Sequence, residues 1–235
     1  MNKIIRNLII ILVIIIVVII IINLRIKNIK VIGNENVESA YVIKNIIKSD
    51  YDRNLVYFLV KNTLFKNKNI PLIETYNVKL KNLSEAEIEV EETLPILYMK
   101  ADIKKVYIDR KGYVVSFSDK ILNLPELSGI NYLPPKKGEK IQTDEKIDFL
   151  KIINIVPILN DNGINIDLIE INREKELSLY IGKIIVDFGT IDYIDTKVDR
   201  LIRIYDKIKD YKGRLDLRNA RENDKNEEYI FKKIS

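Results

Sequence analysis

The stretch A-E-I-E-V-E-E-T-L-P, residues 86–95, decides how the chain is read. Ala86, Ile88 and Val90 alternate with Glu87, Glu89 and Glu91, which is the period of a strand with one buried and one wet face. An alternating glutamate series of this kind is a solvated strand face rather than a metal or catalytic cluster. Upstream, Ile73 to Lys81 reads as another strand. Before it, Leu55, Phe58, Leu59, Leu64 and Phe65 mark a helical piece over 55–65, ahead of turn signals at Asn67 to Pro71. Ser39 is placed as the N-cap of an earlier helix with Val42, Ile43, Ile46 and Ile47 on one face. Ile26, Ile29, Val31 and Ile32 form a strand that ends at Gly33-Asn34. The order is strand, helix, helix, strand, strand.

Farther upstream, every residue from Leu8 to Ile22 is Leu, Ile or Val, and Ile4, Ile5 and Leu24 extend the apolar stretch. About 20 helical residues cross a hydrocarbon core of roughly 30 Å, so a span over 4–25 is expected, with Arg6 and Arg25 snorkelling to the two interfaces. No Ala, Ser or Gly follows in Asn23-Leu24-Arg25-Ile26-Lys27, which argues for a retained anchor over a cleaved signal. Lys3 and Arg6 on one side balance Arg25, Lys27 and Lys30 on the other, so charge does not set the orientation. A cytoplasmic tail of residues 1–3 ahead of one large exported region suits a signal anchor.

Beyond Pro95 the pattern changes to short strands with turn signals: Val106 to Ile108, the Arg110-Lys111-Gly112 turn, and Tyr113 to Phe117. Further strands are expected at Ile164 to Asn172, Leu177 to Ile181, Ile184 to Phe188 and Arg214 to Leu217, with Gly182-Lys183 closing a tight hairpin. Helices are expected at Glu145 to Ile155 and Lys197 to Lys209, the latter burying Val198, Leu201, Ile202, Tyr205 and Ile208. The fold class is α+β: a transmembrane helix, a β-α-α-β-β unit, and a β-rich unit with flanking helices.

Composition narrows function. Hydrophobic residues make up 47% and charged residues 31% of the 235 residues, which suits an anchored globular protein. Cys, His and Trp are absent, which removes disulfides, thiolate nucleophiles, and the commonest metal ligand and general base. The net charge of +5 is spread along the chain, so nucleic-acid binding is not indicated. Attraction to lipid headgroups or wall polymer fits only the basic stretch at Arg25, Lys27 and Lys30. Asp109, Asp187 and Asp216 read as turn and edge residues, since glycosidic chemistry needs two carboxyls at a defined separation in a cleft. No catalytic, cofactor-binding or metal-ligating residue and no small-molecule substrate is assigned.

In order along the chain, Ile29-Lys30-Val31-Ile32-Gly33-Asn34, Ile88-Glu89-Val90-Glu91-Glu92-Thr93-Leu94-Pro95, Tyr107-Ile108-Asp109-Arg110-Lys111-Gly112, Leu124-Pro125-Glu126-Leu127-Ser128-Gly129 and Gly213-Arg214-Leu215-Asp216-Leu217-Arg218 stand behind one amino-terminal span. This combination resembles the FtsQ/DivIB family of bacterial division proteins, with Thr93 where the family often has Arg. The resemblance implies a POTRA domain at 26–94, a β domain at 95–218 and a C-terminal extension at 219–235. It also implies a non-enzymatic scaffold at the division septum that joins membrane proteins of the FtsL and FtsB/DivIC type and helps assemble the septal peptidoglycan synthase. Rival readings are a POTRA-bearing export or envelope-assembly factor, an anchored cell-wall enzyme, and an anchored sensor of surface ligands.

Tyr229-Ile230-Phe231 is a compact apolar patch between Glu227-Glu228 and Lys232-Lys233. By the resemblance, a strand after the one holding Leu215 and Leu217 lies at an open sheet edge to which a partner can add a strand, so Tyr229, Ile230, Phe231, Leu215 and Leu217 are the partner-binding candidates there. Lys30 and Asn34, in the segment nearest the membrane, mark a second candidate surface.

Overall fold

The computed structural model describes residues 3–65, 70–101, 104–118, 122–143, 147–220 and 230–234. These fall into two units, Met1–Thr93 and Leu94–Ser235. In the first, the Ile/Leu/Val run forms helix α1 (Lys3–Asn23), long and apolar enough to cross a membrane, with none of its residues buried. Then come β1 (Asn28–Ile32), α2 (Ser39–Ile46), a 3-10 turn (Asp50–Arg53), α3 (Leu55–Leu64), β2 (Ile73–Asn82) and β3 (Glu85–Glu92). The sheet order is β1-β3-β2, with β1 parallel and β2 antiparallel to β3.

The alternation in β3 is realised as expected, with Ala86, Ile88 and Val90 buried. On the wet face Glu87 pairs with Lys81 at 3.0 Å and Glu89 with Lys79 at 2.7 Å. Glu92, one residue past that alternation, has a different task. Its Oε1 accepts the backbone N–H groups of Glu35, Asn36 and Val37 at 2.8, 2.8 and 2.7 Å, and its Oε2 accepts Asn36 Nδ2 at 3.0 Å. Burial pushes this carboxyl up, but the bonds from Val37, Asn36 and Glu35 outweigh burial and hold it below the usual range.

Ser39 is not the cap of α2 but its first residue, behind Glu38. Asn34 explains the difference: its Nδ2 reaches across the loop to Val37 O at 2.8 Å and Ser39 Oγ at 3.2 Å. Asp52 joins α2 to α3, accepting the N–H groups of Lys48 and Ser49 at 2.8 and 2.7 Å and pairing with Lys61.

In the second unit the elements are β4 (Leu97–Ala101), β5 (Lys104–Ile108), β6 (Val114–Ser118), β7 (Glu126–Ser128), α4 (Phe149–Asp161), β8 (Leu168–Ile171), β9 (Leu177–Ile181), β10 (Ile184–Gly189), α5 (Ile194–Ile208), β11 (Gly213–Asp216) and β12 (Ile230–Lys233). They make one nine-stranded sheet, ordered β12-β11-β10-β9-β8-β7-β4-β5-β6. Gly182-Lys183 closes the β9–β10 hairpin, with Ile181 opposite Ile184. Strands β10 and β11 are parallel, so a crossover is required between them, and α5 supplies it. One sheet face, with Met99, Leu127, Ile169, Leu179, Val186 and Leu215 among its residues, shares a single core with α4 and α5.

The largest shifts from the expected boundaries are at one helix and one strand. The helix expected at 145–155 starts at Phe149, where Asp148 caps it by accepting Lys151 N–H at 3.1 Å, and continues through Pro157 to Asp161; Glu145 lies outside the described residues. The strand expected from Ile164 shortens to Leu168–Ile171, although Ile164 and Ile166 remain buried. At Gly129, φ is +82° and a Cβ would stand 1.8 Å from Ile171 O, so only glycine fits this close approach.

Candidate partner-docking edge

Strand β12 ends the large sheet. It pairs antiparallel with β11, placing Ile230, Phe231, Lys232 and Lys233 opposite Asp216, Leu215, Arg214 and Gly213. Ile234 N–H bonds Lys212 O at 3.0 Å, and Gly213 N–H bonds Lys183 O on the opposite side of β11. By the alternation of an antiparallel ladder, Ile230 and Lys232 therefore bond toward β11, and Phe231 and Lys233 turn their N–H and C=O groups to the open side. Side chains alternate the other way. Phe231 points to the core face and packs on the cluster containing Leu215. Ile230, 58% exposed, and Lys232 stand on the opposite face. Lys233 lies over the Tyr211 ring, 3.5 Å from its centre.

Of the residues expected to meet a partner, Ile230 and Phe231 lie on this edge, and Tyr229 lies outside the described residues. Leu215 and Leu217 require correction. Both side chains are buried, because they belong to the core that this sheet face shares with α4 and α5. Lys30 is exposed on β1, an edge strand of the small sheet, opposite Glu87. Asn34 is occupied in holding its own loop.

Sequence reasoning missed the sheet face opposite the helices. There Asp187 accepts the guanidinium of Arg214 through two nitrogens, Nη2 to Oδ1 at 2.8 Å, and Ser178 Oγ at 3.1 Å. Tyr180 donates to Glu170 at 2.6 Å, and Tyr98 donates to Glu126 at 3.2 Å, which also pairs with Lys100 at 2.8 Å. The bond to Glu170, then burial, pushes the Tyr180 hydroxyl up, while burial and the Glu126 charge do the same for Tyr98. Each strand shows this face only as a polar residue at every second place, and the network becomes visible once register is known. Asp109 is a turn residue, its Oδ1 accepting Lys111 and Tyr113 N–H groups at 2.8 Å each. Asp216 is held by Arg218, with Nη2 to Oδ2 at 2.6 Å. No group of three or more metal-ligating side chains occurs among the described residues.

No protein-family model matches the chain. Among curated proteins it is similar to the cell division protein DivIB of Clostridium acetobutylicum, 25% identical over 197 residues that cover 82% of this chain and 78% of that protein. It is likewise similar to DivIB of Clostridium tetani, 26% identical over 187 residues (76% and 69% of the two chains), and to DivIB of Clostridium botulinum strain Hall, 25% identical over 185 residues (76% and 71%). Together with the apolar amino-terminal helix and the α+β architecture of the residues after it, these likenesses support a relation of the chain to the FtsQ/DivIB family of cell-division proteins.

Proposed function

We propose that the chain is a non-catalytic scaffold of the bacterial division machinery, which α1 holds in the membrane with its amino terminus inside and its two folded units outside. Residues 26–94 act as a POTRA domain, 95–218 as a β domain, and 219–235 as an extension that supplies the last strand. The partners are other single-span division proteins of the FtsL and FtsB/DivIC type, met at the septum, and their gathering supports assembly of the septal peptidoglycan synthase. The observation carrying this reading is the open side of β12, where Phe231 and Lys233 offer outward N–H and C=O groups to an incoming strand. Confinement of all partners to one membrane plane raises their effective concentration, so a four-residue edge suffices without high affinity.

The test is a photocrosslinking scan in cells, with a photoreactive residue at each position from 214 to 234. Capture of one small single-span protein, strong along 230–233 and weak along the buried positions 215 and 217, supports strand addition. No capture by a protein that still reaches septa moves docking to the first unit, where Lys30 on β1 is the exposed candidate.

A further inference from the structure

Helix α3 does not have the outer face of a surface helix. Its inner side is made by Leu55, Phe58 and Asn62, all buried. Successive residues turn by 100°, so Val56, Tyr57, Val60, Thr63 and Leu64 fall together on the opposite side, and all five are exposed or half-buried. Leu64 and the following Phe65 are 73% and 75% exposed. By contrast, α5 carries Asp195, Asp199, Arg203, Asp206 and Lys207 away from its core side, the pattern of a helix that meets water.

The position of α3 identifies what covers this apolar side. Asn54, its N-cap, donates its Nδ2 to the carbonyls of Ile21, Ile22 and Leu24 at 3.1, 3.0 and 3.3 Å, and Leu55 N–H bonds Leu24 O at 2.9 Å. These bonds satisfy the carbonyls left open at the end of α1 and fix the start of α3 beside the last turn of the span. A pocket of about 690 Å³ opens there, lined by Ile21 and Ile22 of the span and by Val56, Tyr57 and Val60 of α3. Arg25, which pairs with the exposed Asp50 at 2.5 Å, is the one charged residue lining it, and Tyr51, 79% exposed, stands at its rim. Apolar side chains level with the end of a span, together with two tyrosines and a cation, form the composition of a bilayer interface.

We propose that the outer face of α3, with Tyr51 and this pocket, docks onto the bilayer that α1 crosses, Val56, Val60 and Leu64 entering the upper acyl region and Arg25 lying among lipid phosphates. The inference rests on α1 as the membrane anchor and is independent of any partner at β12. Docking would restrain the first unit against the membrane at a second place besides α1.

The chain contains no Cys, so single thiols can be introduced cleanly into the full protein. Bimane is attached at Val60→Cys, Leu64→Cys and, as a control in the β8–β9 turn, Glu174→Cys. Each protein is reconstituted in phosphatidylethanolamine/phosphatidylglycerol vesicles containing lipids brominated high on the acyl chain. Quenching several-fold stronger at 60 and 64 than at 174 is the expected result. A Val56→Asp substitution added to the Leu64→Cys protein lowers the quenching at 64 if the face docks on lipid. Quenching at 60 and 64 no greater than at 174 overturns the proposal. So does a bimane shielded from both lipid and water, which would mean that protein, whether a second copy or a partner helix, covers the face.

Discussion

The Gly213→Ala substitution tests whether β12 is an edge that can be detached without damage to the sheet behind it. A Cβ at position 213 would stand 2.4 and 2.8 Å from the ring of Phe231 and 2.7 Å from the backbone oxygen of Lys232. The ring could swing aside, but the Lys232 carbonyl belongs to the paired strand, so β12 itself has to move. The strand has little stability to spare. Half-burial of Phe231 contributes about 1–1.5 kcal/mol, and the ladder bonds, two at each of the 216/230 and 214/232 pairs and one from Ile234 to Lys212, contribute about 1 kcal/mol each. Ordering four residues costs about 1.5 kcal/mol apiece, near 6 kcal/mol, so the opposing contributions cancel to within about 1–2 kcal/mol. Overpacking that costs about 1–3 kcal/mol is therefore enough to release β12. Hydrogen exchange on the full chain in detergent reads this directly. The amides of Lys232 and Ile234 should lose protection about 5- to 150-fold, while those of β8 to β10 keep theirs. Unchanged protection at 232 and 234, or a loss spread across the sheet, would refute the reasoning.

Four further outcomes follow from individual side chains. Thr93 Oγ1 is buried without a hydrogen-bond partner, so Thr93→Val should be neutral or should stabilise the first unit by up to about 1–2 kcal/mol in urea unfolding. Arg214→Lys loses the two-nitrogen fork on Asp187, which is itself only 8% exposed, and should cost about 1 kcal/mol by the same measurement. Lys197 is 1% exposed, with Nζ donating to Thr190 O at 2.7 Å, and burial lowers its pKa. A base depressed in the folded state binds fewer protons there than when unfolded, so wild-type stability should rise as pH climbs toward about 10.4, and Lys197→Met should abolish that rise in alkaline melting curves. The carboxyls of Asp52 and Glu92 titrate below their ordinary values despite burial, held down by Lys61 and the backbone of Ser49 and Lys48 in one case and by Val37 and Asn36 in the other. Their stabilisation is complete above about pH 4 and disappears as pH falls through the depressed folded values. Glu92→Gln should shrink this acid-side loss, as read by exchange of the 35–37 amides.

Periodicity located most elements because hydrophobic burial sets it. The α3 and β3 patterns and the β9–β10 hairpin depend on neighbours in sequence, and the chain alone contains that information. Strands β4 and β7 were not legible. β7 has three residues, and its place between β4 and β8 is set by parallel pairings to distant segments, which no local signal encodes. The β12 edge itself was only partly legible. The apolar character of Ile230 and Phe231 stood out, but the burial of the candidates Leu215 and Leu217 did not, since which side of this segment is buried depends on where α4 and α5 pack. The helix over 55–65 was legible, but which of its apolar residues stay exposed was not: Leu64 and Phe65 continue the apolar pattern of α3 and both are exposed.

Several residues of the motifs that carry the family likeness meet internal demands of the fold. Glu92 ties down the 35–37 loop, Asp109 closes a turn, Gly129 admits the Ile171 carbonyl, and Asp216 fixes Arg218. Each meets a geometric demand that few other residues meet. The β12 edge works differently, because its outward groups are backbone N–H and C=O, which every residue except proline provides. Recognition through that edge, as proposed, would tolerate wide change in side chains, and specificity would then come from Ile230, Lys232 and the neighbouring open face. Exchange of residues 229–234 for those of a DivIB relative should accordingly preserve strand pairing, seen as protected amides at 232 and 234, while changing which partner is captured.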